Sequence, residues 1–274
     1  MALRKRGLPQ GWYPLTELKT REQIEKYLRN LAKPGHQALA GILPHAGWEF
    51  SGRIALEVLQ NIYRKSETLV VIGGHLPAGG GILAALEEGY ETPLGNIDAD
   101  MELLKALKEL IPVHADRFPD NTVEVQLPFI KYLFPRAKAL ALRAAPVAEA
   151  IQLGEILAGL SYQLKRKIAV IGSTDLTHYG SNYGFAPQGR TAVHWVREVN
   201  DKRIIESLLT LNHTEAINRA LAEKSACSVG GAVAAAAFAG KNGVKRGILL
   251  DYSTSYDVLA GESFVGYGGI IYAK

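Results

Sequence analysis

The chain has 274 residues, 47% of them hydrophobic and 21% charged, with seven histidines and one cysteine. That is ordinary globular composition, long enough to bury a core, and it excludes a disordered chain or a disulfide-stapled scaffold. The formal net charge of +4 is scattered apart from Arg4-Lys5-Arg6 and Lys165-Arg166-Lys167, and neither cluster is interleaved with aromatics, which speaks against nucleic acid as a partner.

In chain order, "REQIEKYLRNLAK" (Arg21 to Lys33) sets Ile24, Tyr27, Leu28 and Leu31 at helical spacing. "QALAGILP" is a short apolar strand broken at Pro44, and a helix is predicted from Ile54 to Tyr63. "TLVVIGG" (Thr68 to Gly74) is β-branched and stops at glycines, so it is a second strand. "GGGILAALEEG" supplies another short strand, and Ala99 to Leu110 a helix. "VEVQLPFIKYLF" reads as one helix, with Pro128 tolerable only near its first turns. "AKALALRA" is a strand, Val147 to Leu164 a long helix, and "KIAVIGSTD" (Lys167 to Asp175) a further strand. Helix is expected from Thr191 to Leu211, near Thr214 to Ala222, and from Ser228 to Gly240; "RGILLDYS" and "FVGYGGIIYA" close the chain as strands. Alternating strands and helices without a linker predict a single-domain α/β fold, its mixed, mostly parallel sheet flanked by helices.

The longest charge-free apolar stretch, between Lys224 and Lys241, is rich in Ala and Gly and too short for a membrane span, so it reads as a packed internal helix. The basic start "MALRKRGLPQGWYP" has no apolar run behind it, and a lone Cys227 suits a reducing compartment. The expectation is a cytoplasmic protein with no membrane partner.

Three histidines occupy equivalent places: His45, His75 and His178 each follow the end of a predicted strand. In open α/β sheets ligands bind beyond the carboxyl ends of the strands, so these three can meet although they are far apart in sequence. His36, His114, His194 and His213 lack this placement and are expected at the surface, His114 with a possible strand-end position. Cys227 lies at the start of the Ala-rich helix, where the positive end of the helix dipole favours a thiolate. Two imidazoles and a thiolate suit zinc, copper or non-haem iron. The same residues are equally compatible with hydrogen-bonded turn histidines and a small buried cysteine, and no H-x-x-H or C-x-x-C spacing decides between them.

Asp175, three residues before His178, can orient that imidazole or cap a turn. In "PDNTVEVQLP", Asp120 or Asn121 is expected as a helix cap with Glu124 as its capping-box partner. "GGHLPAGGG" lacks the order of a nucleotide loop, and no serine nucleophile elbow is present.

Taken together, "GWYP", "GILPHAGWEFSG", "IGGH", "ETPLGNIDAD", "NTVEVQLPFI", "GSTDLTHYG", "ACSVGG" and "SYDVLAGESFVGYGGIIYA" resemble, in order and over nearly the whole chain, the motifs of Memo-like proteins, also called AmmeMemoRadiSam system protein B. The resemblance implies a fold shared with class III extradiol dioxygenases and a metal position formed by His45, His75 and Cys227. It also matches Asp175 and His178 to an Asp and His of which the latter is an acid/base group in the dioxygenases. Where the pattern has further histidines, this chain has Leu76, Asn121 and Gln126, so its pocket holds fewer titratable groups.

The first functional expectation is a metal-dependent oxidoreductase acting on a small molecule, with Fe(II), or else Cu or Zn, on His45, His75 and Cys227. His178 would move a proton, positioned by Asp175, in a pocket formed by Trp48, Asn121, Glu124 and Gln126; Gly47 would let the backbone pass near the metal. The second is a protein that kept the fold without turnover, in a signalling or metal-handling role. It would bind a peptide, or an AMMECR-type protein and a radical SAM enzyme as the family name suggests.

Overall fold

The order of the strands explains where the histidines go. The computed structural model describes residues 2–118, 120–189 and 192–274. Its main elements in chain order are α1 (Glu17–Asn30), β1 (Ala40–Leu43), α2 (Trp48–Gln60), β2 (Thr68–Gly73), β3 (Ile82–Ala84) and α3 (Met101–Lys108). Then come β4 (His114–Ala115), α4 (Leu127–Leu133), β5 (Lys138–Ala144), α5 (Ala148–Gln163), β6 (Ile168–Ser173) and β7 (His178–Tyr179). The last are α6 (Asp201–Leu209), α7 (His213–Glu223), α8 (Val229–Lys241), β8 (Ile248–Thr254) and β9 (Phe264–Tyr272). The sheet runs β7-β9-β1-β6-β2-β5-β3-β4, with β8 paired to β9. Its centre, β1-β6-β2-β5, is parallel, and antiparallel pairs flank it on both sides.

The central strands read as continuous apolar runs because both faces are covered. Ile42, Val70, Ile72, Leu140, Leu142 and Val170 face one core, shared with α3, α5, α6, α7 and α8. Their alternates Leu43, Leu69, Val71, Ala141 and Ile171 face the other, shared with α1, α2 and α4. The Ala-rich segment is the expected internal helix: from Val229 to Ala239 every residue of α8 is buried. Its small residues permit unusually close approach. A Cβ on Gly231 would lie 2.1 Å from the Ile72 carbonyl oxygen, and one on Gly154 of α5 would lie 2.1 Å from that of Ala234.

Three boundaries differ from expectation. Helix α2 starts at Trp48 rather than Ile54, because its first turn, Trp-Glu-Phe-Ser, carries no apolar period; the Trp48 N–H is taken by the Trp12 carbonyl at 2.8 Å. The helix expected from Val123 to Phe134 is two pieces, Asn121–Glu124 and α4, since Pro128 fits only the first turn of the second. The stretch from Thr191 to Leu211, whose first residue lies outside the described set, contains a π-turn over Val196–Asn200 before α6. A separate small sheet of Leu3–Arg4, Gly89–Tyr90 and Ile97–Asp98 was not foreseen. Among the described residues, no helix is long and apolar enough to cross a membrane.

The close contact of α5 with α8 sets two glycines of one helix against each other. Gly154→Ala is expected to lower the unfolding free energy by about 1–3 kcal/mol through overpacking, although alanine is the better helix former. Gly159→Ala, where no atom lies within 4 Å of the added methyl, is expected to raise it by about 0.5–1 kcal/mol. Urea titrations of both variants check the pair, and shifts of the same sign would show that the two helices do not press together as described.

Candidate metal centre

Strands β1, β6 and β2 are neighbours and parallel, so the residues that leave their carboxyl ends share one edge of the sheet. His45 leaves β1 after Pro44, Asp175 leaves β6 after Ser173-Thr174, and His75 leaves β2 after Gly73-Gly74. His75 has φ 59°, in the left-handed region that non-glycine residues adopt only when their surroundings impose it. Gly74 is required by close approach: a Cβ there would lie 2.7 Å from the Ser228 side chain, so the end of β2 lies directly against the segment carrying Cys227. His178 arrives by another route, on β7, paired with Val265 of β9.

The ligand atoms of His45, His75 and Cys227 all lie within 4.8 Å of one another. Cys227 Sγ is 3.3 Å from His45 Nε2, and the rings of His45 and His75 meet edge to face at 5.0 Å. Asp175 holds the group from below: its Oδ1 accepts from the His45 backbone N–H at 2.7 Å, and its carbonyl accepts from the Cys227 N–H at 3.2 Å. Its Oδ2 is 3.8 Å from both His45 Nε2 and His178 Nε2. Ser173 Oγ, 3.2 Å from His45 Nδ1, fixes the other side of that ring.

The electrostatics are those of anions and imidazoles compressed together. Burial works to raise the Cys227 thiol, but His45, His178 and His75 together pull it well below the usual thiol range. Burial works to lower His75, but Asp120 and Cys227 raise it to about 10; burial likewise opposes, and Asp175 and Cys227 likewise raise, His178 to about 10. Burial opposes ionisation of Asp175, yet His45 and His178 hold its carboxyl below the ordinary range.

The sequence reading missed a second carboxylate. Asp120 caps the short helix as expected, accepting from Thr122 N–H at 2.9 Å, but its Oδ2 also lies 3.6 Å from His75 Nδ1. Against burial, His75 and Thr122 hold Asp120 at about 2. Arg143 anchors it, donating to Asp120 Oδ2 at 3.1 Å and to both oxygens of Asp116 at 2.8 and 3.1 Å. A basic residue inside β5 was a signal that could have pointed there.

A cavity of about 480 Å³ opens over His45, His75, Asp175 and His178, walled by Trp12, Phe50, Tyr183 and Tyr267. Of the residues expected in the pocket, only Asn121 lines it, while its Nδ2 donates to the His45 carbonyl at 3.3 Å. Trp48 does not: as the first residue of α2 it turns inward, stacks on Phe129 at 3.8 Å and donates from Nε1 to the Val125 carbonyl. Glu124 is neither pocket wall nor capping-box partner. Its carboxylate accepts from the N–H groups of Gly7 and Leu8 and the hydroxyl of Tyr13, tying down the N-terminal arm. Gln126 is buried beneath the loop, donating to the Pro44 carbonyl at 2.8 Å. Gly47 caps α2, and a Cβ there would meet the arm only at ordinary contact distance, so it is not needed for close approach to a metal. A further cavity, of about 620 Å³ among Arg64, Lys65, Arg136 and Lys138, lies at the opposite, amino edge of the strands.

Behind His178 lies a layer of buried Thr177, Asn200 and Asp201 joined by the partly buried Tyr252. Asp201 accepts from the Thr177 N–H at 3.0 Å, the Thr177 hydroxyl and the Tyr252 hydroxyl at 2.8 Å, while Asn200 donates to Thr177 Oγ1 at 2.9 Å. The π-turn just before Asp201 delivers Asn200 and Asp201 side by side to this spot.

A mixed α/β sheet with a His/His/Cys group at the carboxyl edge of its parallel centre defines the class of this protein. A family model described as Memo-like protein matches residues 5–271. A MEMO1 family protein of Thermococcus onnurineus is 32% identical over 275 residues, covering 92% of this chain and 94% of its own. A MEMO1 family protein of Methanosarcina mazei is 30% identical over 279 residues, covering 99% of each. The chain belongs to the Memo-like family. Among solved structures, the uncharacterized protein JW3007 from Escherichia coli K12 matches with a TM-score of 0.55 at 15% identity, covering 86% of this chain and 100% of that one, a likeness of fold.

Burial is the largest influence on Asp201 and raises its carboxyl to about 7 against the hydrogen bonds from Thr177 and Tyr252. An acid held above its unfolded value binds its proton more tightly in the native chain. Its contribution to stability is full below about pH 4 and is lost as the pH rises through 7. Relative to Asp201→Asn, the wild type is therefore expected to lose unfolding free energy steadily from about pH 4 to about pH 8. Chemical denaturation across that range measures the gap, and a constant gap would show that Asp201 ionises as an exposed carboxylate does.

Proposed function

We propose that the chain is a metal-dependent oxidoreductase that holds iron(II), with copper or zinc as alternatives, on His45, His75 and Cys227. The observation that carries this is the convergence of those three ligand atoms within 4.8 Å of one another, with His45 and His75 lining an open cavity. The donor set fits a transition metal: imidazole and thiolate suit iron, copper and zinc and not the oxygen-seeking magnesium or calcium. The buried Nε2 of His178 has no hydrogen-bond partner, a vacancy in polar pairing that a ligand beside the centre would fill. Cations are also what the surroundings call for, since Cys227, Asp175 and Asp120 favour their charged forms. Protons on the imidazoles supply the positive charge in the metal-free chain, and metal binding displaces them.

When bound, the ion would supply Lewis-acid and one-electron chemistry to a small molecule beside it, because three protein ligands leave positions open. The chain's own residues do the rest. His178 carries a proton at the rim of the centre, its Nε2 3.8 Å from the Asp175 carboxylate, which also accepts from the His45 backbone N–H. Trp12, Phe50, Tyr183 and Tyr267 exclude water and offer flat apolar walls. Among the described residues lining the cavity there is no lysine or arginine, so an uncharged, ring-sized substrate suits it better than a phosphorylated one. Asn121 can orient such a substrate but cannot move a proton at neutral pH.

The second reading, a metal-handling or peptide-binding protein without turnover, working with an AMMECR-type protein and a radical SAM enzyme, is favoured by one observation. Asn121 and Gln126 spend their amides on the His45 and Pro44 carbonyls rather than on a substrate.

Metal analysis of protein purified anaerobically decides the site. Wild type and His178→Ala are expected to carry about one ion per chain, and His45→Ala, His75→Ala and Cys227→Ala to lose it. Asp175→Asn is expected to weaken metal binding roughly 10–100-fold. Equal metal in all variants would remove the proposal. With metal retained, oxygen uptake on a panel of catechols that disappears in His178→Ala supports the oxidoreductase; no uptake by the loaded protein turns the assignment to the second reading.

A further inference from the structure

We propose that the centre has a second, narrow opening through which a small neutral molecule reaches the Cys227 side without passing through the aromatic-walled cavity. That dioxygen is the molecule admitted rests on the oxidoreductase reading; the opening itself does not.

A cavity of about 120 Å³ lies at the start of α8 and shares only His75 with the main cavity. Cys227 lines this small cavity and not the large one. Cys227 is partly buried as a residue and borders this cavity. Two ligand residues of one centre are thus reached from different sides: His45 from the large cavity, Cys227 from the small one.

The small cavity follows from how three elements end. The start of α8 is pressed onto the end of β5, where a Cβ on Gly230 would lie 2.3 Å from the Ala144 carbonyl oxygen. The chain then turns away at Pro146, and the last turns of α7 bring Ala220 and Leu221 across the gap. Apolar Leu76, Ala144, Pro146, Ala220, Leu221 and Ala226 form most of the wall, and the polar side chains of His75, Cys227 and Ser228 border it as well. Leu221 is 55% exposed and marks the outer end.

The chemistry of the walls selects the visitor. No charged side chain other than His75 lines the cavity, so nothing there would desolvate and hold an ion. With mostly small apolar side chains and only His75, Cys227 and Ser228 polar, the cavity suits a small weakly polar guest better than an ion. A substrate large enough to fill about 480 Å³ cannot enter through about 120 Å³. The two openings therefore sort molecules by size, and a ring-sized ligand seated in front leaves the rear approach to the sulfur open.

Cys227 is the chain's single cysteine, so thiol alkylation of the metal-free, full-length protein reads access directly and needs no turnover. Rates are compared per thiolate, taken from their pH dependence, so that reactivity and access separate. Iodoacetamide is expected to react about tenfold more slowly when the rear is narrowed by Leu221→Trp or Ala226→Phe, and within about twofold of wild type when the front is narrowed by Leu259→Trp, at a residue that lines the large cavity. Pyrenyl maleimide, too bulky for the rear opening, is expected to react slowly throughout. Xenon-pressurised crystals are expected to show xenon beside Leu76, Ala144 and Ala220. Alkylation that slows with Leu259→Trp and ignores both rear variants, or fast reaction of the bulky reagent, overturns the opening, as does an empty rear cavity under xenon. A chain that binds no metal but passes these tests keeps the opening and loses only the assignment of dioxygen.

Discussion

The contact between Cys227 Sγ and His45 Nε2, at 3.3 Å, is the one on which the rest of the molecule depends. The two residues are 182 positions apart, and neither belongs to a regular element. They meet because α8 lies nearly flat on the parallel centre of the sheet, closer than ordinary side chains allow. Gly172 of β6 and Gly231 of α8 are part of that approach: a Cβ on Gly172 would lie 2.5 Å from the Gly231 carbonyl oxygen. The run of alanines, read from the sequence as a packed internal helix, is what lets a helix start deliver a sulfur to a strand-end histidine. Interiors of this kind are close-packed and resist a displaced helix, so the packing of α8 and the geometry of the centre are one property.

Charge is the second constraint. Cys227, Asp175 and Asp120 would each be costly to bury ionised, and the imidazoles between them offset that cost. Each anion is also fastened to the scaffold. Asp175 takes backbone N–H from His45, and Asp120 is fixed by Arg143, which is fixed in turn by Asp116. The histidines are thereby oriented from both flanks before any ligand arrives. The strained backbone at His75 belongs to the same arrangement: φ 59° is sustained by the Asp120 contact on one side and the crowded Gly74–Ser228 junction on the other.

Much of this was legible in the residues, and the rest was hidden for identifiable reasons. Strands ending in Pro44, Gly73-Gly74 and Ser173 could be read because β-branched runs and breakers mark them, and parallel neighbours must finish at one edge. That edge brought His45, His75 and His178 into one neighbourhood. Trp48 was misplaced because proximity to His45 in sequence says nothing of direction: once Gly47 opens a helix, the next side chain points into the core. Glu124 illustrates a local rule losing to a distant partner. A carboxylate spaced for a capping box instead binds an arm more than a hundred residues earlier, where two free N–H groups and a phenol need an acceptor. Asp201 carries no local pattern, and the roles of Trp12 and Arg143 exist only after long-range pairing has placed them, although a basic residue inside β5 hinted at a buried partner.

Asn121 and Gln126 show what this chain has done with two positions beside its centre. Each amide donates to one of two successive carbonyls, those of His45 and Pro44, so together they pin the loop that leaves β1. A neutral amide performs that task at every pH, whereas an imidazole would lose or gain a charge beside Asp175 and Cys227. On the proposed function the acid/base work would fall to His178, which lies 3.8 Å from Asp175 within the site and is backed, through Thr177, by Asp201. On that same proposal, a pinned loop under His45 and one supported proton carrier opposite it would hold the geometry of a bound metal while a substrate enters and leaves the aromatic-walled cavity.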